Sequence, residues 1–320
     1  MGLGWAAAAV VGGFIALVWG ADRFVIGAAA TARNLGVSPL VVGLTVVGLG
    51  TSAPEMLVSA VAAATGNGGL SIGNAIGSNI TNVSLVLGAA ALTRPLVVNS
   101  KIIRRELPLL LGIMAVALLL MIDGVLGRVD GVLLLAGMAG MMGWVVYHGL
   151  RDREADPLVA EYEKEVPTGM STPLAVFWLV LGLAVLLGSS HLLVRGADAV
   201  ARHFGVTDLV IGLTVVAIGT SLPELAASIA AALKDEHDIA VGNVVGSNMF
   251  NLLGVLGLPG AIAPGSFDPA ATSRDFPVMI GLTVLLLSMT RGFGTRGRLT
   301  RVQGAVLVTA FAGYLVLVYT

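Results

Sequence analysis

The chain has 320 residues, 56% of them hydrophobic and 12% charged, with a mean hydropathy of +0.94. That balance lies outside the range of soluble domains and places the chain among polytopic membrane proteins. A net charge of −1 and no cysteine exclude disulfides and thiolate metal sites, and no nucleic-acid partner is expected.

A spanning helix needs about 20 apolar residues. Ten stretches qualify, at roughly 4–30, 39–64, 70–92, 106–122, 130–149, 173–200, 208–233, 239–261, 275–290 and 300–319, five in each half. The first has no basic residue ahead of its apolar run and no small-residue cleavage site, so it reads as a retained span. The second contains Gly50-Thr51-Ser52-Ala53-Pro54-Glu55, and the third contains Gly73-Asn74-x-x-Gly77-Ser78-Asn79-x-x-Asn82. Arg105-Glu106-Leu107-Pro108 opens the fourth, where it is expected to fix the start of the helix. A polar stretch at about 150–172 follows the fifth; it is too short for a separate domain and reads as a solvated cytoplasmic connector.

The second half repeats the first at an offset of 169 residues with no insertion. Gly43-Leu44-Thr45-Val46-Val47 matches Gly212-Leu213-Thr214-Val215-Val216, and Glu55 matches Glu224 within Gly219-Thr220-Ser221-Leu222-Pro223-Glu224. Gly242-Asn243-x-x-Gly246-Ser247-Asn248-x-x-Asn251 repeats the asparagine motif, and Arg274-Asp275-Phe276-Pro277 repeats the charged junction. The chain therefore divides into a first membrane repeat at 1–149, a linker at 150–172 and a second repeat at 173–320.

With the N-terminus outside, 13 of 18 basic residues fall in cytoplasmic loops, among them Arg94, Lys101, Arg104, Arg105, Arg151, Lys164 and Arg296. Arg128, Arg195, Arg202 and Arg274 fall on the other side, and Arg23 lies within the first span. This bias predicts both termini outside. Five spans per repeat then invert the second repeat relative to the first, the arrangement in which paired interrupted helices mark a transport site near the midplane.

An ionisable side chain at membrane depth costs several kcal/mol unless it is paired or bound to something. Pro54 removes the partner of the Gly50 carbonyl and breaks the helix beside Glu55. Together with Thr51 and Ser52, the motif offers an oxygen-rich, negatively charged site suited to Ca²⁺ or Na⁺. Ser52-x-x-Glu55 and Ser221-x-x-Glu224 also match a helix capping box, which would account for a broken helix without a ligand. On a helix, Asn74, Ser78 and Asn82 share one face, as do Asn243, Ser247 and Asn251. Ligand or supporting roles are expected for Ser78, Asn82, Ser247 and Asn251. For Asn74, Asn79, Asn243 and Asn248, bonding between helices is an equal alternative. Asp22, Arg23 and the charges from His191 to Asp198 read as ion pairs or snorkelling groups near span ends.

The paired GTS-x-PE and GN-x-x-GSN-x-x-N segments resemble the alpha repeats of the calcium/cation antiporter superfamily, in its sodium/calcium exchanger branch with related bacterial inner-membrane proteins. The likeness spans nearly the whole chain. It implies the sodium/calcium exchanger fold of ten helices, with the first and sixth sliding during alternating access. It also implies Glu55 and Glu224 as central ion ligands, Thr51, Thr220, Ser78 and Ser247 as further ligands, and backbone carbonyls at Gly48 and Ala217. Asn251 departs from the aspartate of the potassium-dependent branch and argues against K⁺ co-transport.

The expectation is therefore an inner-membrane antiporter exchanging Ca²⁺ for Na⁺. It has no prosthetic group and no chemical catalysis, and one chain suffices for transport. The metal-binding set expected is Glu55, Glu224, Thr51, Thr220, Ser52, Ser221, Ser78, Ser247, Asn82, Asn251, Gly48 and Ala217. An H⁺-driven antiporter is the nearest alternative, since buried carboxylates can load protons in place of Na⁺. A cation channel is more remote, because two carboxylates in inverted halves do not form a ring around a pore. The four histidines, His148, His191, His203 and His237, lie away from the motifs and supply no hydrolase site.

Overall fold

A computed structural model describes residues 3–36, 48–98, 101–151, 169–291 and 297–320. The repeated Gly43–Val47 segment and most of the linker, 152–168, lie outside the described residues. Among those described, six helices are long and apolar enough to cross a membrane, or seven if one bent pair counts as a single span. Each of the ten stretches read from the sequence falls on helix where its residues are described, 39–47 of the second lying outside them, although only six or seven are long and apolar enough to count as spans.

In chain order, the first repeat consists of α1 (Leu3–Asn34), α2 (Gly48–Thr51), α3 (Ala53–Ala64), α4 (Gly68–Thr81), α5 (Leu87–Thr93), α6 (Lys101–Met121) and α7 (Arg128–Arg151). The second consists of α8 (Thr172–Phe204), α9 (Asp208–Ile211), α10 (Ala217–Thr220), α11 (Leu222–Leu233), α12 (His237–Phe250), α13 (Gly257–Ile262), α14 (Phe276–Arg291) and α15 (Arg301–Tyr319).

Glycines position the outer pair. Gly13 packs on Leu193, Gly20 on Leu186 and Gly27 on Leu179, so numbers fall along α8 as they rise along α1, and the two helices run antiparallel. A Cβ at Gly27 or Gly182 would strike the facing backbone, which is the close approach that small residues permit in lipid. Because α1 and α8 are the same element of the two repeats, their opposite direction means that the repeats are inverted.

The remaining contacts obey the same two-fold relation. α5 packs on α15, and its counterpart α13 packs on α7. Strand β1 (Leu96–Val98) pairs with β4 (Gly297–Leu299), while β2 (Val125–Leu126) pairs with β3 (Gly265–Ser266), so each repeat lends one short strand to the other's junction.

The core lies in Gly68–Thr93 and His237–Ile262. In each of these spans 83% of the apolar window is buried, against 28% for α1 and α8, so the motif helices are walled by protein while the outer pair faces lipid. Gly73 and Gly77 lie against Leu209, Gly212 and Leu213, where a Cβ would meet backbone, and this is the packing role of the GN-x-x-GSN glycines in the first repeat.

Both central spans widen into a π turn, at Asn82–Val86 and at Asn251–Val255. Further π turns occupy Gly212–Val216 and Ala271–Asp275. Asn82 and Asn251 are repeat mates, so the widened turn is itself duplicated; such turns loosen the i→i−4 ladder and occur often at functional sites.

Candidate ion-binding site

Each glutamate stands in the first turn of a helix that begins at a break. In the second repeat the segments Asp208–Thr220 and Leu222–Leu233 meet at 42°, with Pro223 at the start of the second segment, where its missing N–H is tolerated. The first repeat has the same local design, with Pro54 at the start of α3. Glu55 and Glu224 are both 0% exposed, and the two carboxylates are close enough to repel one another.

The threonines reach across the two-fold. Thr51 Oγ1 donates to Asn243 Oδ1 at 3.3 Å and lies 3.4 Å from Ser247 Oγ. Its mate Thr220 donates to Asn74 Oδ1 at 3.1 Å and lies 3.4 Å from Ser78 Oγ. Every residue of the first set is the repeat mate of one in the second. The break in one repeat is therefore tied to the asparagine motif of the other.

Asn74 Nδ2 donates to the Glu55 carbonyl at 3.2 Å and to Ser59 Oγ at 3.1 Å; Asn243 Nδ2 donates to Ser228 Oγ at 3.4 Å. Bonding between helices is thus what Asn74 and Asn243 do here. Asn248 joins helices too: it accepts from Asn82 Nδ2 at 3.2 Å and donates to the Asn79 carbonyl at 3.4 Å. Asn79 and Asn248 are repeat mates, and a residue that touches its own mate sits at the pseudo-two-fold axis. The axis therefore passes between the two asparagine motifs.

Buried polar atoms are normally partnered, and those that are not call for an explanation. Here they concentrate in the motifs. Among the described residues both carboxylate oxygens of Glu55 lack a hydrogen-bond partner, as do Glu224 Oε2, the Ser52 and Ser221 hydroxyls, Asn82 Oδ1 and both side-chain polar atoms of Asn251. Neither Ser52 nor Ser221 makes a side-chain cap bond, so the capping box that the sequence permits is not formed at either break. Glu224 Oε1 accepts from Ser247 Oγ at 3.2 Å.

Among the described residues no three His, Cys, Asp or Glu gather together, so the donors are two carboxylates surrounded by hydroxyl and amide oxygens. Oxygen donors with two negative charges fit a hard cation. The Ala217 carbonyl is occupied in this conformation, accepting the Ser221 N–H at 3.1 Å and the Thr220 hydroxyl at 3.4 Å. Gly48 begins α2, one turn ahead of Thr51.

Ser59 and Ser228 escaped the sequence reading. Each lies four residues after a motif glutamate, on the same helix face, and the two are repeat mates; that coincidence was the available signal. The peripheral charges behave as expected. Arg23 lies 3.6 Å from Asp22 and stacks 4.9 Å from the Trp178 ring, while Arg202 pairs with Asp198 at 2.9 Å. Asp275 is buried and accepts from Arg274 Nε at 2.8 Å and Tyr314 OH at 3.1 Å, anchoring the start of α14 to α15.

The sequence profile of the sodium/calcium exchanger protein family matches residues 5–147 and again 174–320. The chain belongs to that family. It is 50% identical over 311 residues to CaxA of Alkalimonas amylolytica, covering 97% of this chain and 98% of that one. It is 43% identical over 285 residues to the inner membrane protein YrbG of Escherichia coli (strain K12), covering 88% and 87%. Among solved structures, the sodium-calcium exchanger NCX_Mj soaked with Na⁺ and Sr²⁺ superposes with a TM-score of 0.68 at 32% identity, covering 98% of this chain and 99% of that one. The protein therefore has the exchanger fold, and its family is one of multi-pass membrane transporters of Ca²⁺ and Na⁺, not of enzymes.

Proposed function

We propose that the protein exchanges Ca²⁺ for Na⁺ by alternating access at one central site held by Glu55 and Glu224. The observation that carries this reading is the pair of fully buried glutamates on broken, inverted helices, with three of their four carboxylate oxygens lacking a hydrogen-bond partner among the described residues. A buried, unpartnered carboxylate is too costly to keep ionised unless a cation or a proton neutralises it. One Ca²⁺ neutralises both carboxylates, and several Na⁺ ions are needed for the same compensation. A site unable to hold both species at once gives exchange without leak.

The ligand set in this proposal is the two glutamates with Thr51, Thr220, Ser52, Ser221, Ser78, Ser247, Asn82 and Asn251, and the carbonyls at Gly48 and Ala217 that the family resemblance implies; the Ala217 carbonyl would have to leave its present partners to take part. Thr51 and Thr220 link each break to the opposite repeat, so movement at one break is felt at the other. On this proposal the protein lies in the bacterial inner membrane with both termini outside, with repeats bounded at 1–149 and 173–320 and the whole site carried by a single chain.

Radiolabelled Ca²⁺ uptake into proteoliposomes tests the function. An outward Na⁺ gradient is expected to drive uptake and a pH gradient alone is not; uptake driven equally by a pH gradient would replace Na⁺ with H⁺ as the coupling ion. Conductance without a counter-ion requirement would make the protein a channel. Orientation is tested separately with single cysteines at Lys101 and Asp268. Labelling from opposite sides of the membrane is expected, with Lys101 reached from the cytoplasm.

A further inference from the structure

Between α6 and α7 lies a hollow of about 670 Å³, lined by Leu109, Val116, Leu120, Leu133 and Trp144 and floored by Leu253. It is almost wholly apolar. Gly112 and Gly140 also line it, and a Cβ at either would meet no atom within 4 Å. Close packing against another helix is the ordinary reason for glycine at a helix surface in lipid. These two glycines pack on nothing and leave the space open.

The floor connects to the ion site. Leu253 belongs to the π turn Asn251–Val255, and Gly137 of α7 approaches it so closely that a Cβ there would stand 3.3 Å from Leu253 Cδ2. Leu109 and Leu120 are eleven residues apart along α6, so the hollow is roughly 16 Å long at 1.5 Å per residue, about half of a 30 Å hydrocarbon core.

The two ends of the α6–α7 hairpin differ in charge. Where the helices are joined, Asp123 and Asp130 flank Arg128; at the open end the sequence places Lys101, Arg104 and Arg105 at the start of α6 and Arg151 at the end of α7. Leu109, which lines the hollow together with Trp144, lies one helical turn from Arg105 along α6. Basic clusters at a membrane face attract anionic lipid head groups, and tryptophan is the side chain of that interface.

We propose that this hollow is a binding groove for one acyl chain of an anionic phospholipid. The head group lies at the Lys101–Arg105 end of α6, and the chain packs on Leu253 behind the π turn that carries Asn251. The bilayer itself thereby supports one wall of the central span at a point the protein leaves unfilled.

Native mass spectrometry of the full chain, taken from bilayers of equal phosphatidylglycerol and phosphatidylcholine, tests the assignment. Wild-type protein is expected to retain phosphatidylglycerol selectively, and Gly112→Leu combined with Gly140→Leu to lower that retention several-fold. Gly281→Leu combined with Gly313→Leu is the control, since a Cβ at either also meets nothing within 4 Å and neither lines the hollow. Equal retention by the two double variants, or equal retention of the two lipids by the wild type, overturns the proposal. So does a dimer that becomes a monomer when the hollow is filled, because the occupant would then be a second copy of the chain.

If the filled variant does not fold, brominated-chain lipids are titrated against Trp144 fluorescence with Trp5, Trp19 and Trp178 changed to Phe. Saturable quenching by the brominated phosphatidylglycerol at a lower mole fraction than by the brominated phosphatidylcholine supports the groove. Identical quenching by the two lipids overturns it.

Discussion

Glu55 and Glu224 hold equivalent places in the two repeats and have unequal surroundings. Glu224 accepts a hydrogen bond from Ser247 at 3.2 Å, whereas neither oxygen of Glu55 has a hydrogen-bond partner among the described residues; Ser78, the mate of Ser247, keeps only the 3.4 Å contact with Thr220 that Ser247 also makes with Thr51. At the break residues themselves the backbone matches, Ser52 and Ser221 having nearly the same conformation, and the difference lies in the side-chain partners of the carboxylates. In an inverted-repeat transporter the two repeats exchange conformations when the site turns from one side of the membrane to the other. Under the proposed alternating access, the unequal halves correspond to one facing state, and the opposite state is expected to have Ser78 on Glu55 and Ser247 released.

Removing either charge should erase the difference between the halves altogether. Glu55→Gln and Glu224→Gln keep the shape of the side chain and remove the charge that compensates cation dehydration. Each is expected to lower Ca²⁺ exchange by at least about a hundredfold, the loss typical when one member of a buried charge pair goes, with expression and melting temperature near those of the wild type. Proteoliposome flux is the measurement. Wild-type flux in both variants would make the carboxylates structural.

A smaller effect is expected at the break. Pro223→Ala restores an N–H at a break bent by 42° and favours a straighter span, which should slow exchange by about tenfold with little change in thermal stability, since proline is tolerated in the first turn of a helix. An unchanged rate with a straightened helix would show that the bend does not contribute to transport. Pro54→Ala tests the same feature in the other half, and comparing the two rates shows which break moves in the slow step.

Much of this was legible in the sequence because duplication is a register, and register survives without coordinates. The offset of 169 located both glutamates, both prolines and both asparagine motifs, and helical periodicity placed Asn74, Ser78 and Asn82 on one face. Other features depend on what lies opposite a residue, which one strand of text does not record. The cross-repeat bonds from Thr51 and Thr220 are of that kind, and so is the contact of Asn248 with its own mate Asn79. The π turns at Asn82 and Asn251 leave no readable signature, because an added residue shifts the phase of an apolar stripe and these two spans, buried on nearly every side, carry no stripe to displace. The hollow beside Leu253 exists because two glycines face empty space, and glycine reads the same whether it packs closely or leaves a gap.

The serines sharpen the comparison further. A hydrogen bond to a charged acceptor contributes about 1.5–3 kcal/mol, so Ser247→Ala is expected to weaken apparent Ca²⁺ affinity by about tenfold when assayed from the side to which the site is open in this state. Ser78→Ala should cost less than about threefold from that side and more from the other, because its bond to Glu55 forms only after the repeats exchange roles. Sidedness is read by flux in oriented vesicles. Equal effects of the two alanines from both sides would mean that the asymmetry seen here is not tied to facing state.

Asn251 offers the smallest and most specific test. It is fully buried, begins the π turn of the second repeat, and has neither side-chain polar atom hydrogen-bonded among the described residues, while its mate Asn82 is held by Asn248 at 3.2 Å. As a neutral amide it offers one oxygen and one NH₂ group without adding charge to two carboxylates. Wild-type exchange is therefore expected to run at the same rate in K⁺-free and K⁺-containing media. Asn251→Asp places a third carboxyl beside the other two, and such a cluster is relieved either by taking up a proton or by admitting one more monovalent cation. The expected result is a stable protein whose exchange changes modestly, about twofold, with K⁺ or with pH, while Asn82→Asp, already engaged by an amide, unsettles the fold more and ion dependence less. A wild-type protein silent without K⁺ would refute the neutral-site reading. An Asn251→Asp protein indifferent to both ions would place Asn251 outside the ion path, leaving its unpartnered amide a feature of the widened turn and not of the site.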